Sequence, residues 1–251
     1  MYFDRFINEI EFLIIMAGQE RFKTYGNVFD EFTRRNLFKL QCQGFFEELV
    51  SPISIGKEAN IFSARTKEGG YVAIKIYRLE NCNFNKMWSY LMSDPRYKNS
   101  KPQRRQIIFT WVQREFRNLM KSREAGVHVP TPIHFLHNII IEEFLGKGNI
   151  PAPQLNRAEI KDIDKLHELL VKELRLLYKK AELVHADLSS FNILLHEGKP
   201  VIIDMSQSTS TNDPNSTEYL ARDIKNIAKF LNKFGFEISD ERLHEEITKN
   251  I

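Results

Sequence analysis

Two stretches decide how this chain is read: Leu183-Val184-His185-Ala186-Asp187-Leu188-Ser189-Ser190-Phe191-Asn192-Ile193-Leu194-Leu195, and then Val201-Ile202-Ile203-Asp204. An apolar strand delivers His-x-Asp, a short spacer leads to Asn192, and a second apolar strand ends on Asp204. Phosphoryl transfer explains such spacing. One carboxylate must orient the attacking hydroxyl and accept its proton, while an amide oxygen and a second carboxylate hold the cations that clamp the phosphates. Asp187, Asn192 and Asp204 supply those groups in that order. The bland alternative is a buried hairpin whose polar residues only make turns.

The N-terminal half weighs against that alternative. Gly70-Tyr71-Val72-Ala73-Ile74-Lys75-Ile76-Tyr77 reads as a strand carrying Val-Ala-Ile-Lys, the protein-kinase pattern in which a lysine pairs the ATP phosphates. Alone, Lys75 could equally snorkel from a sheet edge. Upstream, Ile53-Ser54-Ile55-Gly56-Lys57-Glu58-Ala59-Asn60 offers a lone glycine and no G-x-G-x-x-G. The glutamate that would hold Lys75 is Glu115, on a segment where Trp111, Phe116 and Leu119 give a partial helical face; it could also be a solvated helix residue.

These motifs together resemble the RIO family of atypical serine protein kinases, most closely its Rio-one branch. The resemblance is carried by Gly-Lys-Glu-Ala-Asn at 56–60, Ala73-Ile74-Lys75-Ile76-Tyr77, Arg114-Glu115-Phe116-Arg117-Asn118-Leu119, the stretch around Asp187, and Asp204-Met205-Ser206-Gln207. Residues 84–97 also look like this branch. The resemblance implies an α+β, two-lobed kinase-like fold, with a β-sheet N-lobe, a mainly helical C-lobe and helices before the N-lobe. It implies an autophosphorylating kinase or ATPase that uses ATP with Mg²⁺ or Mn²⁺. In that scheme Lys57 and Glu58 cover the phosphates, Lys75 grips them with help from Glu115, and the main chain at Glu143 and Leu145 meets adenine. Asn192 and Asp204 bind metal, and Asp187 is the proton acceptor. The resemblance further implies that Asp204 can itself take the phosphoryl group as a phospho-aspartate, and that the partner is a small ribosomal subunit precursor, its rRNA and proteins, in the cytoplasm.

Some positions depart from expectation. Ala186 replaces the arginine of His-Arg-Asp, no Ala-Pro-Glu follows Asp204, and Ser189 stands where ordinary serine/threonine kinases place a lysine. All three fit the RIO pattern. Ile55 and Glu142 do not: the first position is usually threonine, and the second usually carries an apolar residue closing the adenine pocket. Two other readings stay open, a small-molecule phosphotransferase of the aminoglycoside or choline kinase type and a nucleotide-binding pseudokinase scaffold.

The 251 residues suffice for one kinase-sized core, and a net charge of +3 neither demands nor excludes RNA contact. Two cysteines make no disulfide framework, so a reducing, intracellular setting is expected. Phe12-Leu13-Ile14-Ile15-Met16-Ala17 is too short to span a bilayer, and Met16 competes with Met1 as the start. We expect a helical extension over 1–50, an N-lobe over 51–145 with a mobile insertion near 81–110, and a C-lobe over 146–251. Helices are expected over 157–180 and 222–230, and a hairpin over 134–144 with its turn at 136–138. Within the insertion, residues 94–106 carry Arg96, Lys98, Lys101, Arg104 and Arg105 and read as a loop. Such a loop is either a solvated connector or a contact for phosphate backbone or nucleotide. Ser89, Ser93 and Ser100 are candidate self-phosphorylation sites. Asp223 either braces the catalytic loop or is a surface charge, and His185 orients backbone near Asp204.

Overall fold

Strand Tyr71–Tyr77 (β3) is buried along nearly its whole length, so both its faces must be covered. In the computed structural model, which describes residues 29–80, 82–93 and 103–249, they are. Val72, Ile74 and Ile76 pack with Leu37 and Leu40 of helix Glu31–Cys42 (α1) and with Phe29 and Phe62. Tyr77, from the alternate set, packs with Ile108, Trp111 and Val112 of helix Arg104–Glu124 (α3). Lys75 belongs to that alternate set and points to the α3 side. Asp30 caps α1 by accepting from Thr33 N–H at 2.8 Å.

The sheet is antiparallel throughout, in the order β1-β2-β3-β5-β4, with β1 Glu48–Ile55, β2 Ala59–Arg65, β4 Pro132–Leu136 and β5 Ile139–Glu143. The expected hairpin is β4–β5. Gly56 closes the β1–β2 turn by donating to the Ala59 carbonyl at 3.0 Å, and any Cβ there would lie 2.8 Å from that oxygen.

Beyond β5 a short hairpin, Gly146–Lys147 (β6) with Ile150–Pro151 (β7), leads into a mainly helical half. Helices Ile163–Lys179 (α4), Ser216–Lys233 (α5) and Asp240–Thr248 (α6) bury a second core with Leu183, Val184, Leu188 and Ile202. Two small strand pairs sit on it: Leu183–Val184 (β8) with Thr209–Ser210 (β11), and Ile193–His196 (β9) with Lys199–Ile202 (β10). The chain thus adopts the expected α+β arrangement of a sheet half and a helical half.

Three local expectations change. Helix α4 starts at Ile163, not 157, because the Asp162 carboxylate accepts from Lys165 N–H at 2.9 Å and caps it there. Helix α5 extends well beyond 222–230 at both ends. Of the expected loop over 94–106, residues 104–106 are instead helical, since α3 begins at Arg104 and buries Ile107, Ile108, Trp111 and Val112 at helical spacing. The insertion also contains helix Phe84–Ser93 (α2), which packs on α3 through Met87, Tyr90 and Leu91. Arg104 and Arg105 lie over the Phe84 and Phe32 rings at 5.5 and 5.4 Å. Arg96, Lys98, Ser100 and Lys101 lie outside the described residues, as do the apolar run at 12–17 and both candidate start methionines. Among the described residues no helix is long and apolar enough to cross a membrane.

Candidate active site

The cleft between the halves gathers four ionisable groups from distant parts of the chain. Lys75 Nζ on β3 donates to Glu115 Oε1 of α3 at 2.6 Å and to Asp204 Oδ1, after β10, at 2.8 Å. Tyr77, two residues along the same face, donates its hydroxyl to Glu115 Oε2 at 2.6 Å. Both carboxylate oxygens of Glu115 are therefore held, and its side chain is 1% exposed. Burial works against the Lys75 charge, but Asp204 and Glu115 outweigh it and hold the ammonium well above its ordinary range. Desolvation likewise opposes the Asp204 charge, and Lys75 and Ser206 outweigh it, holding that carboxyl well below the usual range.

Ser206 donates to the same Asp204 oxygen at 2.7 Å. Oδ1 is thus committed to the protein, and Oδ2 is the oxygen left for chemistry. Asp204 remains 38% exposed and sits at φ 60°, a left-handed backbone that aspartate tolerates better than most residues. His185 Nε2 lies 3.0 Å from the carbonyl of Ile203, so its ring fixes the chain just before Asp204, as expected.

Asp187 lies across the cleft floor. Its Oδ2 accepts from Gln207 Nε2 at 2.7 Å, and partial burial raises its carboxyl despite the opposing influence of His185. Asn192 donates Nδ2 to the Asp187 carbonyl at 2.9 Å, which leaves the amide oxygen as the free acceptor. One amide oxygen and one carboxylate oxygen are hard donors of the kind Mg²⁺ takes, with phosphate and water oxygens completing the shell. Among the described residues no cluster of three or more His, Cys, Asp or Glu side chains could hold a metal unaided.

Asp223 braces the catalytic loop. It is 3% exposed and accepts from Ala186 N–H and Leu188 N–H, each at 2.8 Å. Ala186 has φ 66°, a conformation costing about 1 kcal/mol for a residue with a Cβ, and these two bonds hold it there.

The phosphate-loop and adenine candidates lie around the rim. Lys57 is exposed at the β1–β2 turn. Glu58 is partly buried, which raises its carboxyl, and it feels Asp204, Asp187 and Lys75 across the cleft. The Glu143 carboxylate turns outward and accepts from Thr131 N–H and Oγ1 at 3.0 and 2.6 Å, so only its main chain can serve a base. The Leu145 carbonyl accepts from Ala152 N–H at 2.8 Å, leaving its N–H for another partner.

Sequence reasoning missed several supports. Gln207, Ser206 and Tyr77 stand within quoted motifs but were assigned no role. Arg114 and Asn118 flank Glu115 on α3 and clasp the segment that follows Asp204. Arg114 donates to the Gln207 and Ser208 carbonyls and to Tyr90, and Asn118 donates to the Met205 and Ser208 carbonyls. One helix therefore positions both Glu115 and residues 205–208.

Comparison with known proteins agrees with this geometry. Residues 60–243 match the RIO domain family. The chain is 35% identical over 95% of its length to the RIO-type serine/threonine-protein kinase Rio1 of Haloferax volcanii, covering 82% of that protein. It is 38% identical over 91% of its length to the Methanocaldococcus jannaschii Rio1, covering 78% of it. The human serine/threonine-protein kinase RIO1 is 35% identical over 90% of this chain, which spans 40% of the human protein. Among solved structures, a Chaetomium thermophilum Rio2 kinase-ADP/Mg²⁺-phosphoaspartate complex superposes with a TM-score of 0.64 at 22% identity. That match covers 87% of this chain and 67% of the other and speaks to the fold. Family match, relatives and cleft geometry agree that this chain belongs to the RIO family of atypical serine/threonine-protein kinases, in its Rio1 branch.

Proposed function

We propose that the cleft binds ATP and transfers its γ-phosphoryl group, with Asp187, Lys75, Glu115, Asn192 and Asp204 as its working residues. The observation that carries this is Lys75 Nζ bridging Glu115 and Asp204 at 2.6 and 2.8 Å, beside Asp187 and Asn192. Lys75 is charged and meets the phosphates. The turn at Lys57 and Glu58 lies over them, and the main chain at Glu143 and Leu145 receives adenine. Asn192 and Asp204 Oδ2 would hold Mg²⁺ or Mn²⁺, which neutralises phosphate charge when bound. Asp187 accepts the proton of an attacking serine hydroxyl, with Gln207 fixing its carboxylate.

Asp204 Oδ2 can also act as the nucleophile. Its oxygen then bonds to the γ-phosphorus as ADP leaves, and water later cleaves the acyl phosphate to release phosphate. A phosphoaspartate is named in the Rio2 complex, and the unshared Oδ2 favours this route here. In that role the protein would cycle as an ATPase on a small ribosomal subunit precursor in the cytoplasm. The residues at Arg96, Lys98 and Lys101 suit phosphate backbone.

Incubation with γ-labelled ATP and Mg²⁺ tests both routes. We expect protein-bound label, with hydroxylamine removing the share on Asp204 and leaving the share on serine; no label and no phosphate release would overturn the proposal. Arg96, Lys98 and Lys101 changed together to Ala should weaken particle binding and flatten its salt dependence, and wild-type binding by that variant would remove the partner assignment.

A further inference from the structure

Glu142 is the one acidic residue on the inner face of β5 beside the cleft. Residues directly opposite each other in an antiparallel pair share a face. Glu142 lies opposite Ala73, and Ile140 lies opposite Lys75. Because the Lys75 side chain reaches Glu115 and Asp204, the face holding Ala73, Lys75 and Glu142 is the cleft face. Glu142 also immediately precedes residues 143–145. It is only partly buried, and among the described residues its carboxyl makes no hydrogen bond or ion pair, its sheet pairing being through the main chain. Its carboxyl therefore has nothing to satisfy it but a proton, solvent or a ligand.

We propose that the Glu142 side chain reads the purine base, its carboxyl O–H donating to adenine N7 and its C=O accepting from the 6-amino group. This rests on the ATP reading above, in which the main chain at Glu143 and Leu145 takes the other edge of the base. That edge uses N1 and one amino hydrogen, leaving N7 and the second amino hydrogen turned toward the residue that precedes them on β5.

The charge environment supports a neutral carboxyl. Burial pushes Glu142 up to about 8; Glu115 of α3, Asp204 after β10 and Glu143 on its own strand add to this, and Lys75 of β3 opposes it. Lys75 is already shared by two carboxylates. A neutral carboxyl presents one donor and one acceptor side by side, as a carboxamide does, and carboxamides hold adenine by N6 and N7 in base reading. Guanine presents two acceptors on that edge, O6 and N7, so the C=O of Glu142 would face an acceptor unpaired.

The test is binding of ATP, 7-deaza-ATP and GTP to the full chain, by calorimetry with Mg²⁺, for wild type, Glu142→Gln and Glu142→Met. At about pH 6.5 wild type should prefer ATP over 7-deaza-ATP by about five- to tenfold, a modest share of what a bidentate base contact gives. Glu142→Gln should keep that preference at about pH 6.5 and about pH 9, because a carboxamide does not ionise. Wild type should lose most of it near pH 9, where about a tenth of the molecules still hold the proton. Glu142→Met should bind ATP yet show no preference at either pH. If wild type binds ATP normally but treats the two nucleotides alike at the lower pH, Glu142 does not read the base. If wild type binds no ATP at either pH, the ATP-site reading itself fails.

Discussion

Replacing Asp223 should separate the catalytic loop from the nucleotide site. Its carboxylate is buried on α5 and accepts from two backbone N–H groups of the loop, Ala186 and Leu188, at 2.8 Å each. Asp223→Ala orphans both donors in a buried place, at about 1–3 kcal/mol each, so the loss of unfolding free energy should be about 2–6 kcal/mol. In Asp223→Asn the amide oxygen keeps one donor while its NH₂ group confronts the other, and the loss should be about 1–3 kcal/mol. Ala186, at φ 66°, would be free to relax toward commoner backbone once unheld, carrying Asp187 with it. We expect Asp223→Asn to lose about tenfold or more in turnover while ATP affinity stays within about threefold, since Asp223 touches only loop backbone. Urea unfolding followed by tryptophan fluorescence gives the first quantity; ATPase assay and calorimetry give the others. A variant within about 0.5 kcal/mol of wild type and with full turnover would refute the bracing role.

Asp187→Asn should cut phosphoryl transfer by about a hundredfold or more while leaving ATP binding within about tenfold, because a general base acts on the acceptor; unchanged turnover would remove Asp187 from the mechanism. Lys75→Met leaves Glu115 as an uncompensated buried charge, costing about 3–5 kcal/mol, and adding Glu115→Gln should recover part of it. Strictly additive losses in that double mutant would mean the pair is not coupled. The fold favours the neutral form of Glu142, whose carboxyl rises from 4.5 to about 8, so stability present on the acid side is lost as pH climbs through that window. The melting temperature of Glu142→Gln should therefore exceed that of wild type increasingly up to about pH 8, and a constant difference across the range would contradict a raised Glu142.

Much of the proposed catalytic constellation was legible because its signals are local. Lys75 stands in an apolar strand, and Asp187, Asn192 and Asp204 are spaced by two short strands and one loop, so periodicity and motif together locate them. The α+β order came with the family resemblance that those motifs carry. What lay beyond reach depends on contacts between distant segments. The helix carrying Glu115 starts at Arg104 because Ile107 and Ile108 find α2 to pack against, while the charges beside them suggested a loop. Asp223 could have been a surface carboxylate until α5 was laid against residues 186–188. Gln207 meets Asp187, and Arg114 meets the carbonyls of 207 and 208, only once α3 and the strand end at Asp204 are brought together. Glu142 was visible as a departure from the family pattern, but its facing the cleft is a matter of strand register. A sequence states which face of each element must leave water; what that face meets, and which polar atoms find partners there, is settled by how the elements pack.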